Sequence, residues 1–168
     1  ETHFTRAAQG GTGAVKASGN YAAALLPTKL AHDEGYDQLL WTDAKSHEFI
    51  EECGTMNVGF VVDGKMIIPS TSDTVLSGIT RDSAITLAKD LGIEVESRTI
   101  SVVELEEAAD QGLLQEAFGL GTAATVSFIS AIGFAGRDYD LPHFSTWRVA
   151  PQIKSALDAV RLGTGEDK

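Results

Sequence analysis

The stretch Asn57-Val-Gly-Phe-Val-Val-Asp-Gly-Lys-Met-Ile-Ile-Pro-Ser70 decides the fold class. Two apolar runs flank Asp63-Gly64, a pair that tolerates the positive φ of a tight two-residue turn, so the segment predicts a β-hairpin. A hairpin in mid-chain excludes a simple alternating parallel sheet. Upstream, "DQLLWTD" and "HEFIEE" read as two short strands, and "NYAAALLPTKLAHDEG" has helical apolar spacing that ends at Gly35. Pro27 inside it predicts a kink or a late helix start. Downstream, "ITRDSAITLAKDLG" predicts a second helix closing on Gly92, "IEVESRTIS" a strand and "VVELEEAADQG" a short acidic helix. "LLQEAFGLGTAATVSFISAIGF" reads as strand, glycine turn and one buried strand. Ile153, Leu157 and Val160 share a face of a last helix between Arg148 and Arg161. The expectation is one mixed α/β domain over residues 1–168.

Composition narrows the partners. The 168 residues carry 13 Lys and Arg against 24 Asp and Glu, a formal charge of −11, which repels nucleic acid and anionic membrane surfaces. One cysteine, Cys53, excludes an internal disulfide and fits a reducing, cytoplasmic compartment. No apolar run reaches membrane-spanning length. His3, His32, His47 and His143 lack metal-ligand spacing, so no metal site is expected.

The segment "GGTGAVKASGNYAAALL", Gly10 to Leu26, holds a single cation, Lys16, between glycines and alanines. Val15 and Ala17 flank it, so the Gly-Lys-Ser/Thr of a phosphate loop is missing and nucleotide binding through this loop is not expected. Three other segments supply complementary chemistry. "EECGTMN" places Glu52 just before a Gly-Thr turn. "LSGITRDS" leads a glycine turn into a helix, whose free amides at Ile79 and Thr80 form an anion site. "GLGTAA" is a second glycine turn, with the Thr122 hydroxyl beside free amides. An amine, a carboxylate and two anion cradles suit pyridoxal 5'-phosphate, which needs a lysine, an acid at its ring nitrogen and donors to its phosphate.

"GGTGAVKASGNYAAALL", "QLLWTD", "IEECGTMNVGF", "LSGITRDSAITLAKDLGIEVESR" and "EAFGLGTAATV" follow one another as in the large domain of the branched-chain amino acid aminotransferases, fold type IV pyridoxal phosphate enzymes. The chain resembles that family from about Thr5 to Gly136, and beyond Arg137 the likeness fades to a generic C-terminal helix. The resemblance implies a barrel-like sheet core with flanking helices. It implies that Lys16 is the catalytic lysine, capturing the cofactor aldehyde and shuttling the α-proton. Tyr21 would bond the cofactor's phenolic oxygen, Glu52 would face its ring nitrogen, and Leu76 would pack on its ring. The Ile79 and Thr80 amides, the Thr80 hydroxyl and Thr122 would bind the phosphate. The amides of Thr122 and Ala123 would meet the substrate carboxylate, and Thr55, in the "GTMN" turn beside the cofactor, would also serve the substrate site. Ser77 replaces a family proline, and Ala124 and Ser127 replace a redox Cys-x-x-Cys found in some members.

The implied reaction is transamination between Leu, Ile or Val and 2-oxoglutarate in a homodimer. The family also has an N-terminal small domain that contributes to the site, so this chain is expected to be a C-terminal large-domain fragment, inactive alone. D-amino acid aminotransferases and aminodeoxychorismate lyases share the fold and remain alternatives. So does a noncatalytic interaction domain that kept the scaffold.

Overall fold

The computed structural model describes residues 1–165. Asp63 and Gly64 both have positive φ, 48° and 79°, and join β3 (Met56–Val62) to β4 (Lys65–Ile68) as the sequence predicts. β1 (Leu40–Thr42) and β2 (Ile50–Cys53) are antiparallel, and β2 returns into β3 through Gly54 and Thr55. β5 (Val95–Ser97) lies parallel to β4. β6 (Leu114–Gly121) runs antiparallel along the far side of β3, and β7 (Thr125–Phe128) pairs with β6.

β3 is therefore forked: on one side β2 pairs with its start and β4 with its end, while β6 follows its length. The gap between β2 and β4 is closed from the chain after β5. Ile50 N–H donates to Ile100 O (2.9 Å), Val102 N–H donates to Glu48 O (2.8 Å), and Phe49 and Ser101 form an antiparallel bridge. This closure curls the sheet into the barrel-like core that the resemblance implies.

Strand alternation sorts side chains to two cores. Val58, Phe60 and Ile67 join Ile50, Ile100, Leu114 and Ala117 on one face. Leu105 and Ala108 of α3 (Val102–Asp110) cover that face. Val61, Met66, Ile68, Phe118 and Leu120 fill the other. They pack against Ala84 and Ala88 of α2 (Ile79–Asp90) and Val149, Ala150 and Ile153 of α4 (Val149–Arg161).

Two expectations need correction. The run after the glycine turn is not one strand: β7 ends at Phe128, and β8 (Ala131–Phe134) leaves the sheet to pair with β9 (Arg137–Asp140). Its turn residues, Ala135 and Gly136, have φ of 47° and 80°, but Ala-Gly lacks the Asn or Asp that marks such turns in sequence. Ile132, Phe134 and Tyr139 of this hairpin cap the first core. The first helix, α1 (Ser18–Asp33), starts before Asn20 and runs through Pro27. It closes at Gly35 (φ 95°), where Tyr36 N–H reaches Ala31 O (2.9 Å).

Candidate active site

Strand register gathers the site. Asn57 pairs with Glu52 on one side and Leu120 on the other, so β2, the start of β3 and the turn after Gly121 end side by side. The Asn57 amide donates to Leu76 O (2.8 Å), which ties the 76–78 loop to the same end. A Cβ on Gly78 would sit 2.2 Å from Asn57 Oδ1, so only glycine admits this approach. Gly78 caps α2 without a side-chain bond, which leaves the first-turn amides of Ile79 and Thr80 free of helix partners.

Glu52 is 4 % exposed. Its Oε1 accepts the Leu76 N–H at 2.8 Å and lies 3.4 Å from Arg6 Nη2. Both contacts fall on Oε1, so Oε2 is the oxygen left for a partner in the cleft. Burial raises the Glu52 carboxyl above its ordinary value, against the pull of Arg6, the Leu76 amide and Lys16. Its neighbour Glu51 points to the opposite face of β2, as alternation requires, and accepts from the Thr74 hydroxyl. Burial raises Glu51 as well, with Thr74 and Arg6 opposing. Cys53 is buried, and desolvation pushes its thiol up to about 12, which fits a small core residue and no nucleophile.

One cleft is lined by Arg6, Val15, Tyr21, Glu52, Thr55 and Leu76. Lys16 is exposed at its rim, its Nζ 5.9 Å from the centre of the Tyr21 ring. Ile79 and Thr80 open the adjoining helix, and Thr122 and Ala123 sit in the exposed turn between β6 and β7; neither pair lines the cleft. Sequence reasoning missed Arg6, Asn57 and Thr74. Arg6 is the only Lys or Arg ahead of Lys16, a signal that could have raised it.

The amino-transferase class IV family matches residues 4–132, which include Lys16, Glu52, both glycine turns and the forked strand. The chain belongs to that family. Over all 168 residues it is 43% identical to a "probable branched-chain-amino-acid aminotransferase" of Staphylococcus aureus (strain N315), covering 100% of this chain and 47% of that protein. It is 43% identical over 163 residues to branched-chain-amino-acid transaminase 1 of Bacillus subtilis (strain 168), covering 97% of this chain and 46% of that one. Among solved structures, the branched-chain amino acid aminotransferase from Escherichia coli superposes with a TM-score of 0.81 at 32% identity, over 99% of this chain and 53% of that chain. The PLP-form (holo-form) enzyme of Thermobaculum terrenum gives 0.82 at 29% identity, over 97% and 50%. The chain spans about half the length of the curated relatives it matches.

Within the family, the donor set here fits pyridoxal phosphate. A buried carboxylate has one oxygen outside its contacts with Leu76 and Arg6, an exposed amine stands at the cleft rim beside a tyrosine, and a helix start with free amides is held on the neighbouring loop.

Proposed function

We propose that the chain is the cofactor-bearing large domain of a pyridoxal phosphate-dependent branched-chain amino acid aminotransferase, a cytoplasmic homodimer acting on Leu, Ile or Val and 2-oxoglutarate. The observation that carries the reading is Glu52, a carboxylate 4 % exposed in the same cleft as Tyr21 and Leu76, with Lys16 at its rim. The names of the relatives support the substrate class. The coverage of about half of each relative supports a further domain beyond the matched half.

When bound, pyridoxal phosphate supplies an aldehyde that an amine can capture and a ring that accepts electron density from a substrate Cα. Lys16 is the group that would hold it covalently, with Tyr21 at its phenolic oxygen, Glu52 at its ring nitrogen and Leu76 on its ring face. The Ile79, Thr80 and Thr122 groups would hold its phosphate. Thr55 and the amides of Thr122 and Ala123 would receive the substrate carboxylate. Lys16 Nζ would be the base that takes up the substrate α-proton and returns it. Glu52, as a carboxylate, would favour protonation of the ring nitrogen: an opposite charge within hydrogen-bond reach moves a pKa by about one to three units.

Lys16→Ala in the full-length polypeptide should abolish both the visible absorbance of covalently held pyridoxal phosphate and transamination. Turnover that survives the substitution would overturn the reading. Assays with valine, D-alanine and aminodeoxychorismate separate the branched-chain reaction from the related ones.

A further inference from the structure

Arg6 lies ten residues before Lys16, at the other end of the glycine segment. Its side chain is 8 % exposed, its Nη2 lies 3.4 Å from Glu52 Oε1 and also bonds the Thr74 carbonyl, and its Nε is buried with no partner. Thr74 is the junction. Its hydroxyl donates to Glu51 and its carbonyl holds Arg6. The loop that leads to Lys16 rests on this stretch: Ala14 N–H donates to Asp73 O (3.0 Å), Gly10 N–H donates to Asp73 Oδ2 (2.7 Å), and a Cβ on Gly13 would lie 2.6 Å from Thr74 Cα.

We infer that Arg6 is a positioning residue for the reaction, holding Glu52 ionised and aimed into the cleft, while Thr74 links this ion pair to the loop that presents Lys16. The inference rests on the reading of Glu52 as the partner of the ring nitrogen. A guanidinium stays charged at any working pH, whereas a carboxylate buried this deeply neutralises itself unless a cation faces it. The charged groups facing Glu52 are Arg6, Glu51 and Lys16; those facing Glu51 are Arg6, Asp43 and Asp73. Of these, only Arg6 is a buried cation; it pairs with Glu52, and its charge also acts on Glu51. An Nη2–Oε1 separation of 3.4 Å is that of an ion pair more than of a tight hydrogen bond, so the charge of Arg6 matters more to Glu52 than its fork geometry.

The test compares Arg6→Gln, Arg6→Lys and the double variant Arg6→Gln/Glu52→Gln with wild type, in the full-length polypeptide. With pyridoxal phosphate added, Arg6→Gln should keep the visible absorbance of bound cofactor but move its pH midpoint by about one unit. It should lower kcat about tenfold or more with little change in KM, and Arg6→Lys should recover most of both. Without cofactor, the double variant should melt at least about 3 °C above Arg6→Gln, because it removes the carboxylate left without its cation. An unshifted midpoint with unchanged kcat, or Arg6→Lys as impaired as Arg6→Gln, overturns the inference. A double variant no more stable than Arg6→Gln also overturns it, and that comparison stands even if Arg6→Gln binds no cofactor. Failure of the functional reading shows separately, as wild-type protein without cofactor absorbance.

Discussion

Glu51 and Glu52 are consecutive, both buried and both pushed upward by desolvation, yet their neighbours differ. Each binds its proton more tightly folded than unfolded. Their contribution to stability is therefore fully present below the ordinary value of 4.5 and is lost as pH rises through the raised folded values. Asp43 behaves oppositely. Burial raises its pKa, but the amides of Phe49, Ser46 and Glu48 and the Ser46 hydroxyl outweigh this and hold it well below its ordinary 3.8. Stability from Asp43 is thus present above 3.8 and is lost as pH falls toward its lower folded value. These groups together predict a stability maximum between the two windows. Melting temperatures across pH 2–8 check it, and Glu51→Gln should flatten the alkaline limb. The residues legible in sequence were those in contiguous motifs, Lys16, Tyr21 and Glu52. Arg6 was not, because its partner carbonyl at Thr74 is 68 positions away and no local pattern announces it.

Elements owe their ends to distant residues as much as to their own caps. Arg148, at the N-cap of α4, makes no side-chain capping bond. Glu116 on β6 does the work instead: its Oε1 accepts from the amides of Arg148 (2.6 Å) and Val149 (2.9 Å), and its Oε2 from Ala150 (2.6 Å). Three charge-assisted bonds onto a helix start favour a carboxylate both by hydrogen bonding and by the helix dipole. Glu116→Ala should destabilise the fold by about 2–3 kcal/mol, read by denaturant unfolding. Gly78→Ala should displace Asn57 from Leu76, lower the melting temperature and weaken cofactor binding in a pyridoxal phosphate titration. The helices and the central hairpin were readable because periodicity and turn chemistry are local. The β8–β9 hairpin was hidden by a mostly apolar run interrupted only by single serines, Ser127 and Ser130, and by an uninformative Ala-Gly turn.

At the scale of the molecule, the four α-helices among the described residues are not equally committed to the interior. α2, α3 and α4 each contribute to a core, whereas α1 buries only Pro27 and Ala31 and leaves Tyr21, Leu25, Leu26 and Leu30 exposed. Backbone amides in α1 should exchange with deuterium faster than those in α2 or α4 in the 168-residue chain, a difference that mass spectrometry of protected peptides reads. Within the sheet, the forked β3 has a further consequence. Deleting a single residue between Asn57 and Val61 would set the half of β3 that pairs with β2 out of register with the half that pairs with β4, and β6, which pairs with both halves, could match only one of them. Length variation in this lineage should therefore spare that strand and accumulate in the outer hairpin, whose displacement leaves the cleft untouched.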